Sequence, residues 1–258
     1  MDFEDIINDN KSSSTKIAFN IIDWYNSLNN KNINDSLDQI KYNYYGMAII
    51  SYVCDYIKIN KSTKNLKETI NKNLKESIIS SDKIIYKNSV VGTLSYSSVV
   101  RDALIRNKNN IKSVYILESM PELEGIELAR ILLQNDIQVT ILHDSEIYEM
   151  VKNVDYCIIG SDLVSYDGTL IHKTGTYPLA LAMNDNKKSV YSLAIEEKID
   201  KNFNINDYNK IRNHEWDIPF YNVNKFFDIT RSEFITYYIT ENGLIKPDEL
   251  KKIYKNLL

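Results

Sequence analysis

The sequence predicts an N-terminal helical domain followed by a Rossmann-like α/β domain with a mostly parallel sheet. Three observations carry that expectation. The first third shows apolar residues only at helical spacing. From residue 87 onward, short continuous apolar runs alternate with helical patterns. Polar residues collect just after those runs, where an open parallel sheet presents its ligand edge. The expected division is residues 1–86 and 87–258.

In the first part, "STKIAFNIIDWYNSL" puts Ile17, Ile21, Ile22, Tyr25 and Leu28 on one helical face, behind a Ser/Thr cluster suited to N-capping. "YGMAIISYVCDYIKI" repeats the pattern through Met47, Ile50, Val53, Cys54 and Ile57. "NLKETINKNLKESIISSDKII" does so through Leu66, Ile70, Leu74 and Ile78. Three amphipathic helices with polar linkers are therefore expected. In the second part, "SVVGTLS", "SVYILES", "QVTILHD", "DYCIIG" and "SVYSLA" read as buried strands. Between them, "SSVVRDALIRN", "LEGIELARILLQN", "SEIYEMVKN" and "TYPLALAMND" read as crossover helices, so the units are βαβ.

Composition narrows the function. The chain has 258 residues, 43% of them hydrophobic and 26% charged, as in an ordinary globular protein. Two distant cysteines, Cys54 and Cys157, make neither a disulfide framework nor a metal cluster. The N-terminus is too acidic for a signal peptide, and no apolar run nears the roughly 18 residues of a membrane span. A cytoplasmic protein without membrane partners is expected. The net charge of −4, divided as +1 over residues 1–88 and −5 over the rest, leaves no basic face for direct nucleic-acid binding. Neither GxGxxG nor GxxxxGK[ST] occurs, and His143, His172 and His214 lack metal-ligand spacing. No cofactor and no metal are expected.

Three of the seven glycines, Gly160, Gly168 and Gly175, crowd into "GSDLVSYDGTLIHKTGTY". Glycine serves where backbone turns sharply or approaches a ligand. The strand ends bring Thr93 and Ser95, Glu118 and Ser119, His143 and Asp144, and Gly160, Ser161 and Asp162 toward one edge. Asp162 there suits either general acid/base work or an Asx-turn. Asp144 suits either a ligand contact or a helix N-cap. Lys173, ahead of Thr174, Gly175 and Thr176 at a helix start, suits a phosphate held jointly with the helix N-terminus, or plain solvation.

Four segments in order, "GTLSYSSVVRDAL", "ESMPELEGIELARILLQNDIQVTILHDS", "VDYCIIGSDLVSYDGTLIHKTGTYPLALA" and "FFDITRSEFITYYITENGLIKP", resemble one family. It unites the α/β/δ regulatory subunits of translation initiation factor 2B with isomerases of methylthioribose 1-phosphate and ribose 1,5-bisphosphate. The resemblance runs over roughly residues 80–250 and more loosely over the helical part. It implies a helical domain, a Rossmann-like domain and dimerisation through the latter. It also implies that Asp162 matches the aspartate the isomerases use, whereas Ser95 stands where they have a cysteine. The regulatory subunits also lack that cysteine and show a "THxYS"-like stretch close to "TLSYS".

By the same resemblance, the isomerases' Arg-Gly-Ala falls at Ser12, Ser13 and Ser14, and a second helical-domain arginine falls near Tyr44. The arginine of their E-S/T-R-P stretch becomes Met120, and their Asn-Lys becomes His172-Lys173. Arginine forks hold phosphates bidentately and one lysine does not replace them. A serine hydroxyl does not replace a thiolate without an added base. The expected function is thus a non-catalytic, regulatory-subunit-like protein that binds a nucleotide or sugar phosphate at the strand ends and contacts a protein partner. The alternative is an aldose-ketose isomerase acting on one of the two sugar phosphates. Expected site residues are Asp162 and Ser95 for chemistry, with Thr93, Glu118, Gly160, His172, Lys173, Gly175 and Thr176 around the ligand. A homodimer is expected from the apolar content of "FFDITRSEFITYYITENGLIKP".

Overall fold

Five helices precede the first strand in the computed structural model, which describes residues 2–9, 12–28, 33–203, 205–210, 213–214 and 224–254. They are α1 (Phe3–Ile7), α2 (Ser14–Ser27), α3 (Asn34–Asn43), α4 (Ala48–Asn60) and α5 (Leu66–Ser80). The sequence periodicity finds α2, α4 and α5 but misses two. α1 buries only Ile6 and α3 only Leu37 and Ile40, too few apolar positions to define a face. The Ser13 side chain accepts from the Lys16 amide and caps α2, as the Ser/Thr cluster predicts. Ile17, Ile21, Tyr25, Ile50, Val53 and Ile57 meet in one core. α5 serves two cores: Leu66 and Ile70 pack with the other helices, while Ile78 packs against the sheet. A division near residue 86, which we propose as the domain boundary, therefore follows a helix shared by both cores.

The second part runs β1 (Ser89–Leu94), α6 (Ser98–Arg106), β2 (Ile111–Leu117), α7 (Glu124–Gln134), β3 (Val139–Leu142), α8 (Ile147–Asn153) and β4 (Tyr156–Ile159). A short hairpin, β5 (Leu163–Ser165) and β6 (Leu170–Lys173), leads into α9 (Thr176–Asp185) and β7 (Ser189–Leu193). Then come β8 (Ile199–Asp200), β9 (Asn213–His214), β10 (Asn224–Lys225), β11 (Phe227–Thr230), β12 (Tyr237–Thr240), β13 (Gly243–Ile245) and α10 (Leu250–Ile253). The main sheet has the order β13-β12-β7-β4-β1-β2-β3 and is parallel except for the edge strand β13. Every predicted strand and crossover helix is present. No helix among the described residues is long and apolar enough to cross a membrane.

Two features of the topology position a site. The chain winds from β1 through β2 to β3 on one side, then restarts with β4 on the other side of β1. β1 and β4 therefore flank the switch point, where the loops at their carboxyl ends diverge and leave a crevice. A second sheet, ordered β11-β6-β5-β8, grows from the excursion after β4 and forms one side of that crevice.

The apolar C-terminal segment does not support the expected homodimer. Phe227, Phe234, Ile235, Tyr238, Ile239 and Ile245 are all buried inside the chain itself. The segment is divided between two sheets, so these six side chains fill the protein's own cores and do not by themselves call for a partner.

Candidate functional site

A cavity of about 780 Å³ opens at the switch point, between the carboxyl edge of the sheet and the N-terminus of α2. It is lined by Ser95, Ser97, Ser161 and Asp162 from the sheet and by Ser12, Ser13 and Ser14 from the start of α2. Helix and sheet are joined directly here, since the Ala48 amide at the start of α4 donates to the Asp162 carbonyl at 2.9 Å.

Asp162 directly follows the turn from β4, and its amide donates to the Ile171 carbonyl at 3.0 Å, which starts the small sheet. Burial raises its carboxyl above the ordinary range, against the opposing effects of the Lys198 charge, a hydrogen bond from Ser14 and the Lys173 charge. The lysine that does most to hold Asp162 ionised is thus Lys198. It is 6% exposed, and its Nζ donates to the Ser161 carbonyl at 2.6 Å. Burial lowers the Lys198 ammonium while Asp162 and Glu197 raise it. Half-buried Asp162 and buried Lys198 are thus an acid and a base both lining the cavity.

Ser95 closes β1 with φ +61°, a left-handed backbone that lets its amide donate to Ser119 Oγ at 2.7 Å. Among the described residues, no ionisable side chain is hydrogen-bonded to the Ser95 hydroxyl. The next residues open α6, whose cap Ser97 accepts from the Val100 amide. Ser98 and Val99, at the first two helical positions, line the cavity and bring an end with unfilled backbone donors to it.

Lys173 and the N-terminus of α9, expected to hold a phosphate together, are each satisfied by the protein itself. Lys173 Nζ donates to Glu122 Oε2 at 2.8 Å and Glu124 Oε1 at 2.9 Å, and lies 5.3 Å from the centre of the Phe226 ring. The backbone amides of Gly175 and Tyr177 both donate to Asp228 Oδ2, at 2.8 and 3.1 Å. A helix N-terminus attracts an anion, and here the anion is the chain's own Asp228. Gly175 is required by its backbone, with φ +103° at the N-cap.

The remaining expected positions separate into wall and support. Asp162, Ser95, His172 and Lys173 line the cavity. Thr176 stands behind His172, whose Nδ1 lies 2.9 Å from Thr176 Oγ1. Gly160 also stands behind the wall: a Cβ there would come within 2.9 Å of Ser97 and 3.1 Å of His172 Nε2. Thr93 is wholly buried in β1, away from the cavity wall. Glu118 turns outward to His143, 2.9 Å away, and also lies off the wall. Asp144 is neither ligand contact nor helix cap; its carboxylate accepts from the Ser119 and Met120 amides and fixes the loop after β2. Tyr44 has its hydroxyl within hydrogen-bonding distance of the Ile6 and Asp9 carbonyls, 2.5 and 2.8 Å away, and so ties α3 to the N-terminal segment.

Sequence reasoning missed Lys198 and Arg130. Lys198 sits in "AIEEKID", immediately after β7, itself a parallel strand whose carboxyl end meets the same crevice. Extending the strand-end rule to that strand would have found it. Arg130 reaches the cavity from the second turn of α7, a helical position that strand ends do not signal. Among the described residues, the charged side chains of the wall are Arg130, Lys173 and Lys198 against Glu122, Glu124, Glu127 and Asp162, so these carry no cationic excess.

The model of the Initiation factor 2 subunit family matches residues 11–247. The chain is 33% identical over 174 residues to the putative translation initiation factor eIF-2B subunit 2-like of Pyrococcus furiosus, a match spanning 64% of this chain and 60% of that protein. It is 28% identical over 159 residues to the ribose 1,5-bisphosphate isomerase of Methanocaldococcus jannaschii, spanning 58% of this chain and 51% of that one. The aligned stretch thus covers about three fifths or less of these relatives' lengths. Among solved structures, the fold is that of the Pyrococcus horikoshii translation initiation factor eIF-2B, with TM-score 0.84 at 23% identity over 95% of each chain. The 5-methylthioribose 1-phosphate isomerase of the same organism gives TM-score 0.70 at 16% identity, over 99% of this chain and 87% of the other.

Proposed function

Because the chain belongs to the Initiation factor 2 subunit family, we propose that it is a non-catalytic, regulatory-subunit-like member that binds a nucleotide or sugar phosphate in the cavity. The observation that carries this reading is Ser95. It occupies the cavity end of β1, where the resemblance puts the isomerases' cysteine, and no ionisable side chain among the described residues is hydrogen-bonded to its hydroxyl. An unassisted hydroxyl is not ionised near neutrality, so Ser95 does not take the part of the isomerases' cysteine in proton transfer. Ser12, Ser13 and Ser14, where the resemblance puts the isomerases' arginine loop, offer the cavity only neutral hydroxyls. Lys173 is engaged by two carboxylates, so the phosphate contact falls to Lys198 and the first turn of α6.

The isomerase reading is favoured by one observation, the raised carboxyl of Asp162 in the cavity wall, which suits a general acid/base. Phosphorus NMR of the purified protein with ribose 1,5-bisphosphate and with methylthioribose 1-phosphate decides between them. Binding without turnover supports the regulatory reading. Turnover at about 1 s⁻¹ or more, lost in Asp162→Asn, replaces it with the isomerase reading. The protein is further proposed to be cytoplasmic and to form a homodimer through the Rossmann-like domain, and to contact a protein partner. In support, a neighbour of the same fold is the tetrameric eIF2B-beta2-delta2 complex, with TM-score 0.70 and 12% identity. A monomer in light scattering at micromolar concentration would refute the dimer.

A further inference from the structure

Three carboxylates gather where the helical part meets the carboxyl end of β7. Glu196 and Glu197 lie in the turn Glu196–Lys198 that follows the strand, and Glu241 lies in the turn between β12 and β13. The Glu196 amide donates to Glu241 Oε2 at 3.3 Å, and the Tyr254 hydroxyl donates to Glu241 Oε1 at 2.6 Å. Ile195, one residue before the turn, packs in the helical core, so the two halves of the chain are joined here. Glu197 is the carboxylate that reaches α5. It is 1% exposed, and its Oε1 accepts from the Asn73 side chain at 3.0 Å. Among the described residues its Oε2 is buried without a hydrogen-bond partner.

The groups around Glu197 give its charged form little support. Burial is the first obstacle to ionisation and lifts the carboxyl from 4.5 to about 7; the Glu241 and Glu196 charges add to it. α4 presents Tyr52, whose phenol is raised by burial and then by Glu197 and Glu196, so it stays neutral. α5 presents the uncharged Asn73 amide. Lys198 is the cation of the turn, but its Nζ donates to the Ser161 carbonyl at 2.6 Å. Burial lowers that ammonium, and Asp162 holds it up ahead of Glu197. A buried oxygen with no donor, beside like charges, is satisfied by a proton and stranded as an anion. An ionised Glu197 is relieved when water reaches Oε2, and that requires the turn to part from α4 and α5.

We propose that Glu197 is a proton-operated latch on the seam between the helical part and the sheet. Protonated, it lets the turn after β7 lie closed against α4 and α5. Ionised, it favours a locally opened seam in which the carboxylate is hydrated and the sheet stays folded. The sign follows from linkage. A carboxyl that is raised in the closed form favours that form below its open-state value, and the preference is lost as pH rises through the closed-state value. The latch adjoins the cavity, because Lys198, the next residue, lines it. The proposal nevertheless holds whatever ligand the cavity takes.

Amide hydrogen exchange of the wild type, corrected for the intrinsic pH dependence of exchange, is the test. Amides around Tyr52 and Asn73 should open more readily than those of β1 and β4, and their opening should be nearly independent of low urea, the mark of a local event. Their opening constant should rise about tenfold from pH 6 to 8 and level off above about pH 7. Glu197→Gln, which keeps the acceptor for Asn73 and cannot ionise, should hold the pH 6 value throughout. Should that variant not fold, Glu241→Gln takes its place: with one opposing charge gone, the levelling-off should move to lower pH. Seam amides that share the protection and urea slope of β1 and β4 overturn the proposal, since the helices then part only on global unfolding. A local opening that does not change with pH, or that still rises in Glu197→Gln, overturns it too, as does an unmoved levelling point in Glu241→Gln.

Discussion

Lys173 and Glu124 form an ion pair at 2.9 Å inside the cavity wall, and the other carboxylate oxygen of Glu124 is buried with no hydrogen-bond partner among the described residues. Burial raises the Glu124 carboxyl above the ordinary range even though the Lys173 charge opposes it. The lysine is therefore committed twice, to Glu124 and to Glu122, and the site carries a half-satisfied acid. This arrangement neutralises the cation that the sequence singles out as a phosphate ligand.

Removing the two carboxylates should release it. The double variant Glu122→Gln/Glu124→Gln is expected to bind ribose 5-phosphate about tenfold more tightly than the wild type, the worth of one charge-assisted hydrogen bond. Lys173→Met is expected to do the opposite to stability, costing about 3 kcal/mol by stranding two carboxylates. Calorimetric titration and urea unfolding measure the two effects. Unchanged phosphate affinity in the double variant would show that Lys173 cannot reach the ligand at all.

A second acid governs pH dependence. Glu197 is 1% exposed at the seam between the helices and the sheet, where its Oε1 accepts from Asn73 of α5 at 3.0 Å and its Oε2 is buried without a partner among the described residues. Burial raises its carboxyl from 4.5 to about 7. A carboxyl with a raised folded pKa favours the protonated native state. Its contribution is complete below the unfolded value and is lost as pH rises through the folded one. Between pH 4.5 and about 7 this group should cost the fold about 3 kcal/mol. Glu241 is shifted the same way by burial and adds to the slope. Glu197→Gln should flatten the curve and raise stability at pH 8. A wild-type curve that rises over this window would refute the assignment.

Thiol chemistry offers a direct probe of the cavity. Cys54 and Cys157 are buried and their thiols are pushed up to about 12, chiefly by burial. A thiol that protonated and enclosed reacts poorly with alkylating reagents. The native wild type should resist iodoacetamide at pH 8, whereas Ser95→Cys should add a single labelled thiol. Mass spectrometry locates the adduct. Labelling of Cys54 or Cys157 in the native wild type would contradict the packing.

The sheet domain was legible because its strands are continuous apolar runs whose period matches the parallel, doubly covered sheet they form. The carboxyl edge followed from topology, and Ser95, Asp162, His172 and Lys173 do reach one cavity. What sequence could not convey was pairing. Lys173 looks like a free cation in "LIHKTG", and only the fold brings Glu122 and Glu124, about 50 positions earlier, against it. Asp228 is equally remote from the helix end it caps, reaching Gly175 only because β11 pairs with β6. α3 escaped notice for a different reason: Leu37 and Ile40 are its only buried residues, and no short-range pattern distinguishes that from a loop.

The glycines of the excursion divide by mechanism, and substitution should expose the difference. Gly175 has φ +103°, yet a Cβ there would meet only Leu94 at an ordinary 3.5 Å. Gly175→Ala should therefore cost backbone strain alone, about 1–2 kcal/mol, with the cavity intact. Gly160 has no such backbone demand, but a Cβ there would stand 2.9 Å from Ser97 Cβ and Oγ and 3.1 Å from His172 Nε2. Ser97 caps α6, and Thr176 holds His172, so neither neighbour can withdraw without breaking a hydrogen bond. Gly160→Ala should cost about 1–3 kcal/mol as overpacking and should also shift the His172 ring resonances. Melting curves give the stability cost and NMR gives the displacement. Gly160→Ala with unmoved His172 resonances would mean that the ring has room to spare, and that the close approach of strand end, helix cap and imidazole is not what this glycine is for.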